Sequence, residues 1–340
     1  MLEHGGNLND AARHYGRPRS HWLDLSTGIN PRPYPAPAIA ADAWHRLPEV
    51  SQALEQAACA YYGAPRMLAV AGTQAAIQAL PQLRLRQDGR PAQVVVAAPI
   101  YAEHAHCWQR AGHAVREIPY AALDEAVQGT ACDVLVLCNP NNPTGTRVAP
   151  AQLLQWAAHL AARGGWLVVD EAFGDTLPGQ SVAAHTAAHT ATSGLIVLRS
   201  VGKFFGLAGL RLGFVAAAPA LLDALADWLG PWTISGPAQQ IGCAALGDRQ
   251  WQQATLQQLL AAGERLQTLL AAHGIASHGT ALFQWWPEPE AVAFHQAMAQ
   301  EGIWVRLFTR GAGGIRLGLP PDEAGWERLQ QALHRWSRRG

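Results

Sequence analysis

The chain has 340 residues, 49% of them hydrophobic, enough to bury one large core or two coupled ones. Its 25 Lys and Arg balance its 25 Asp and Glu, so it lacks the positive field of a general nucleic-acid or membrane-surface binder. Five cysteines, odd in number and without CxxC spacing, argue against a disulfide framework or a structural zinc site and for reduced thiols in the cytoplasm.

The first 30 residues look like neither a helical nor a strand-rich domain. His4-Gly5-Gly6-Asn7 is a glycine-rich turn, and Ser26-Thr27-Gly28-Ile29-Asn30-Pro31 is a second loop punctuated by Gly and Pro. The start shows neither a basic nor an apolar segment of a secretory signal. No apolar run reaches the ~18 residues that would span a bilayer. We expect residues 1–30 to form an arm that packs on a small domain and the active site, with a large domain over 31–235 and the small domain over 236–340.

Further on, Ala71-Gly72-Thr73-Gln74 opens a helical segment, Ala75–Leu80. Apolar runs follow at Val94–Ala98, Val134–Cys138, Trp166–Val169, Leu195–Leu198 and Leu212–Ala216, with helical segments such as Ala151–Ala162 between several of them. Most runs are continuous, as in strands buried on both faces. Their alternation with helices predicts an α/β domain with a mostly parallel, doubly wound sheet. Ala183–Thr192 reads as a surface helix or loop. The last third predicts a smaller α+β domain. It has a long helix over Trp251–Ala272, strands near Leu282–Trp286, Ile303–Leu307 and Ile315–Leu319, and a final amphipathic helix with Trp326, Leu329, Leu333 and Trp336 on one face.

Unusual polar residues fall just after the apolar runs. Tyr101 follows the first, and Asn139-Pro140-Asn141-Asn142-Pro143-Thr144-Gly145 the second. Asp170-Glu171-Ala172-Phe173 follows the third, and Ser200-Val201-Gly202-Lys203 the fourth. In an open α/β sheet, ligands bind outside the carboxyl ends of the strands, so four such groups at one edge make one site. Asn139 and Asn141 read as turn formers. His104-x-His106 lacks a third ligand nearby and reads as structural, so no metal site is expected.

The set NPNNPTG, DEAF and SVGKFFGLAGLRLG resembles the aminotransferase-like pyridoxal-phosphate (PLP) enzymes of fold type I, class I/II, over roughly residues 60–320. That resemblance implies a mostly parallel seven-stranded sheet flanked by helices, a smaller α+β domain, PLP as cofactor and a homodimer. It implies that Lys203 carries the cofactor covalently and that Asp170 keeps the pyridine nitrogen protonated. Asn142 would meet the ring hydroxyl, Tyr101 the ring face, and Phe173 would also lie at the cofactor. Gly72, Thr73 and Gln74 at a helix N-terminus, with Ser200 and Arg211, would hold the phosphate. Arg316 matches the family's substrate-anion arginine, and Arg306 is a second cation; together they suit two anionic groups or one phosphate.

The start of the chain and the segment around Arg306 are similar to the threonine-phosphate decarboxylases of cobalamin biosynthesis. This implies that His4, Gly5, Gly6, Thr27, Gly28 and Asn142 join Arg306 and Arg316 in binding L-threonine O-3-phosphate. The alternatives are an aminotransferase acting on histidinol phosphate and, after it, a non-catalytic sensor built on the same PLP fold. Two residues depart from the family pattern. Phe173 stands where many aminotransferases have a Tyr hydroxyl, and Leu47-Pro48-Glu49 stands where relatives often carry Tyr-Pro-Asp reaching the partner subunit's site.

Overall fold

The computed structural model describes residues 5–49, 51–186, 193–309 and 313–338. The chain falls into two compact units. One comprises residues 34–142 and 147–252, the other residues 1–33, 143–146 and 253–340.

The unit of residues 34–142 and 147–252 is built on a seven-stranded sheet. Its order is Met67–Val70, Gly213–Ala216, Leu195–Ser200, Trp166–Asp170, Val134–Cys138, Gln93–Ala98, Ala114–Pro119. Only Gly213–Ala216 runs against the rest. The continuous runs explain the centre of this sheet. Val94, Val96, Val134, Val136, Val168, Ile196 and Leu198 pack with Ile77, Leu80, Trp108, Leu221 and Leu225 from helices on one face. The alternate residues Val95, Leu135, Leu137, Leu167, Val169 and Val197 are equally buried on the other. Burying each such side chain contributes about 1.5–3 kcal/mol, so a polar residue mid-strand would be costly on either face.

Two strands were not expected: Ala114–Pro119 is broken by Arg116 and Glu117, and Met67–Val70 is a run of only four residues. Ala114–Pro119 is the outer strand, half exposed along its length. Met67–Val70 is the opposite edge. An edge strand needs apolar residues on fewer positions, so its pattern is weaker. In the Ala183–Thr192 segment, Ala183–His185 is a 3₁₀ turn, and residues 187–192 lie outside the described residues.

The second unit carries an antiparallel sheet ordered Arg306–Phe308, Gly314–Gly318, Phe283–Trp286, His278–Thr280, with helices Ala291–Gln300 and Glu323–Ser337. The last helix is capped by Asp322 and buries Trp326, Leu329 and Leu333; Trp336 lies edge-on to Phe294. The single strand expected over Ile303–Leu307 is in fact two. Ile303–Trp304 pairs in parallel with Leu23–Asp24, and after Val305 the chain turns to pair with Gly314–Gly318. Residues 5–33 thus supply a strand to this unit. They also supply the helix Leu8–Tyr15, whose Ala11 packs with Trp22 and Ala299. Tyr15, Trp22 and Trp304 meet edge to face.

Candidate active site

The site grows from the carboxyl ends of four neighbouring parallel strands. Gln93–Ala98 delivers Tyr101, Val134–Cys138 delivers Asn142, Trp166–Asp170 ends on Asp170, and Leu195–Ser200 leads to Lys203. All ten residues expected to hold the cofactor line one cavity of about 150 Å³: Gly72, Thr73, Gln74, Tyr101, Asn142, Asp170, Phe173, Ser200, Lys203 and Arg211. Cys138, Ala172, Gly202 and Ala208 complete its wall. A larger cleft, about 610 Å³, opens at the opposite edge of the sheet beside Arg84, Trp166 and Gly194. There Arg84 is matched by Asp88 at 2.7 Å and stacks over Trp166. That cleft has no lysine among its lining residues, whereas the smaller cavity sets Lys203 beside the buried Asp170.

Asp170 is 5% exposed and fixed from two directions. Its Oδ1 accepts from the Ala172 amide at 3.0 Å, and its Oδ2 lies 2.9 Å from His104 Nε2. His104 is 1% exposed, and its ligand atom, Cys138 Sγ and an Asp170 oxygen all lie within 4.8 Å of one another. The structural reading of His104 therefore needs correcting: it touches the carboxylate at the heart of the site. Helix Glu103–Arg110 begins right after Tyr101 and turns His104 inward, a contact between residues 66 apart in sequence. Burial drives the Cys138 thiol well above its usual range, reinforced by the Asp170 charge, so it stays protonated.

Tyr101 is half-buried and its hydroxyl donates to Gln74 Oε1 at 3.2 Å; Gln74 in turn donates to Glu103 at 2.9 Å. Burial, then the charges of Glu103 and Asp170, raise the phenol, so it does not ionise at neutral pH. The Lys203 ammonium lies 5.4 Å from the centroid of the Phe173 ring. Asn139 and Asn141 serve the turns, bonding Val148 and the Pro99 carbonyl.

An anion seat stands at the start of helix Thr73–Asp88. Gly72 takes φ +74°, and a Cβ there would lie 2.4 Å from Arg211 Nη2. Only glycine lets the guanidinium reach the helix N-terminus, where unpaired N–H groups and the helix dipole favour an anion. Arg211 itself adopts a left-handed φ of 56°, and its Nη1 donates to Ala208 O at 3.0 Å. Ser200 Oγ accepts from the Gly202 amide at 3.1 Å. This donor set fits PLP: cations and amides for a phosphate, a buried carboxylate for a ring N–H, an aromatic for the ring face and an amine for the aldehyde.

A buried ionic cluster stands behind Asp170 and Ser200. Arg199 Nη1 donates to Glu171 at 2.7 Å and Nη2 meets Asp175 at 3.1 Å, with the guanidinium over the Tyr62 ring. Glu171 also accepts from Ser181 Oγ and the Val182 amide. Burial raises the Asp175 carboxyl although Arg199 opposes it.

The other unit holds most of the expected substrate residues. Arg306 and Arg316 are paired across antiparallel strands. Arg316 is buried, and desolvation together with the Arg306 charge pushes its guanidinium down to about 10, with Asp24 pulling the other way. Its Nη2 donates to the Ser26 carbonyl at 2.8 Å. Gly5, Gly6 and Thr27 gather at Ser26, since an added Cβ on Gly5 would lie 2.5 Å from Ser26 O and one on Gly6 3.4 Å from Thr27 Cγ2. Gly28 follows, buried. His4 lies outside the described residues. The Gly6 amide donates to Ser26 Oγ at 2.7 Å. Asp24 and Ser26 were missed; an Asp-x-Ser pattern signals only a local turn until its long-range partners are known.

Residues 25–332 match the sequence family described as aminotransferase class I and II. A threonine-phosphate decarboxylase of Pseudomonas aeruginosa is 54% identical over 334 residues, which cover 98% of this chain and 97% of that protein. Another, from a Sinorhizobium species, is 43% identical over 341 residues, covering 98% of each. Among solved structures, the histidinol-phosphate aminotransferase of Sinorhizobium meliloti in complex with pyridoxal-5'-phosphate superposes with a TM-score of 0.78. It covers 98% of this chain and 95% of its own at 21% identity, a likeness of fold.

Proposed function

The chain belongs to the class I and II aminotransferase family, and on that premise we propose that it is a PLP-dependent carboxy-lyase. It converts L-threonine O-3-phosphate to (R)-1-amino-2-propanol O-phosphate and CO2, a step of cobalamin (vitamin B12) biosynthesis. The observation that carries this reading is the 54% identity, over 98% of the chain, to a threonine-phosphate decarboxylase. A histidinol-phosphate aminotransferase shares the fold at far lower identity.

When bound, PLP supplies an electron sink for the pair left behind as CO2 departs. The chain's own residues do the rest. Lys203 holds the cofactor and, once its amine is free, returns a proton to the substrate Cα. Asp170, oriented by His104 and the Ala172 amide, keeps a proton on the ring nitrogen. Tyr101 would cover the ring face and Asn142 would meet the ring hydroxyl. The N-terminus at Gly72–Gln74, with Ser200 and Arg211, holds the cofactor phosphate. Arg306 and Arg316, with Gly5, Thr27 and Gly28 of the arm, hold the substrate carboxylate and phosphate. Two cations on the substrate's two anionic groups would leave it little freedom to turn. Phe173 offers no hydroxyl to the ring oxygen, unlike the tyrosine common in aminotransferases.

The protein acts as a cytoplasmic homodimer in this reading. Its five cysteines are free thiols, as a reducing compartment maintains. No described helix is long and apolar enough to cross a membrane.

The test is product analysis. PLP-loaded protein is given L-threonine O-3-phosphate with and without 2-oxoglutarate. CO2 release that needs no amino acceptor is expected. Absence of CO2, with glutamate formed from histidinol phosphate and 2-oxoglutarate, would move the assignment to an aminotransferase.

A further inference from the structure

All three polar groups of Ser26 are engaged, and together they tie the N-terminal turn to the buried arginine. The carbonyl accepts from Arg316 Nη2 at 2.8 Å. The amide donates to Asp24 Oδ1 at 2.9 Å, and the hydroxyl donates to the same oxygen at 2.6 Å. The hydroxyl also accepts from the Gly6 amide at 2.7 Å. A serine hydroxyl has one proton. The Asp24 carboxylate can only accept it, which leaves the oxygen lone pairs facing Gly6. Asp24 therefore sets the direction of the chain of bonds.

Ser26 is held from the sheet side as well. Leu23–Asp24 is paired with Ile303–Trp304, the Leu25 amide donates to Trp304 O, and the Gly318 amide donates to Leu25 O. Ser26 is thus a fixed post, and the glycine turn is the part that attaches to it. Only a residue without a Cβ can sit at position 5, because a Cβ would lie 2.5 Å from the Ser26 carbonyl oxygen.

We propose that Ser26, oriented by Asp24, is a positioning residue for the substrate anion at Arg316: it latches the glycine turn of the arm beside the guanidinium. The inference rests on the reading above, in which Arg316 and the arm take the substrate's anionic groups. The contribution of the latch is preorganisation. A turn that is ordered before the anion arrives subtracts no ordering cost from binding. Ser26 and Asp24 offer no group to the bond that breaks, so loss of the latch falls on binding and spares the chemical step.

The experiment uses the holoenzyme and three variants: Ser26→Ala, Ser26→Thr and Ser26→Cys. It reads hydrogen exchange at the Gly6 amide, affinity for inorganic phosphate by calorimetry, and KM against kcat for L-threonine O-3-phosphate. Ser26→Ala should expose the Gly6 amide to fast exchange. It should weaken phosphate binding and raise KM by about tenfold, the scale of one lost hydrogen bond to a buried site, with kcat within about twofold. Ser26→Thr keeps the hydroxyl and should restore all three. Should Ser26→Ala not fold, Ser26→Cys carries the same test, because it nearly keeps the side chain's size and replaces the hydroxyl with a weak acceptor. A folded variant with unchanged phosphate affinity and KM overturns the proposal, as does a loss confined to kcat. A wild type that binds phosphate through Ser26 yet releases no CO2 supports the latch and overturns the proposed reaction instead.

Discussion

Asp170 illustrates how much of a buried carboxylate's behaviour comes from its neighbours. A carboxylate in this buried place needs partners for its oxygens, and His104 and the Ala172 amide provide them. Replacing His104 with Ala removes a hydrogen bond to a charged group, about 1.5–3 kcal/mol. We expect PLP affinity to fall by one to two orders of magnitude, read by absorbance titration of the stripped protein, with Lys203 still able to take up cofactor. An unchanged affinity would make His104 a mere packing residue. Lys203→Ala should abolish turnover and the visible absorbance of the covalently held cofactor; near wild-type turnover would sink the assignment of that lysine. Asp170 and Lys203 are legible in the sequence because each stands in a short motif directly after an apolar run. His104 is not, because its partner is 66 residues away and only the packing of helix Glu103–Arg110 against the sheet brings them together.

At the scale of elements, the ends of strands Trp166–Asp170 and Leu195–Ser200 are clamped by Arg199, Glu171 and Asp175. Two carboxylates face one guanidinium, all three almost fully buried. Replacing Arg199 with Met leaves both acids without their cation and should cost about 3–5 kcal/mol, measured by urea unfolding. Asp175→Asn removes the surplus negative charge and should be neutral or stabilising by the same measurement. A pH dependence follows, with its sign set by burial. The Asp175 carboxyl is raised in the folded state, so the folded protein holds its proton more tightly than the unfolded chain. This contribution is fully present below the ordinary carboxylate range and is lost as pH rises through the raised value. Asp175→Asn should flatten that part of the stability profile; an unchanged slope would show that another group carries it. The run WLVVDEAF marks the strand and its catalytic end. It does not reveal that Glu171 and Asp175 point to one arginine on the next strand.

For the whole molecule, the unit built on the seven-stranded sheet exposes Trp44, Leu47 and Trp232 at 70%, 67% and 61%. In the proposed homodimer such open apolar side chains would be covered by the partner. The double variant Trp44→Glu with Leu47→Glu should shift the protein to a monomer in sedimentation; a dimer of unchanged stability would place the interface elsewhere. The sequence by itself determined the α/β class and the central strands, and its resemblance to the aminotransferase-like PLP enzymes pointed to the ten residues that line one cavity. Continuous apolar runs can only be satisfied by burial on both faces, and a parallel sheet brings whatever follows each run to one edge. The tertiary structure alone decided the edge strands, the split at Val305, the His104–Asp170 pair and the Asp24–Ser26 link to Gly6 and Arg316. Those features depend on contacts between segments far apart in the chain, and no local pattern of hydrophobicity or turn chemistry encodes which distant partner a polar group will meet.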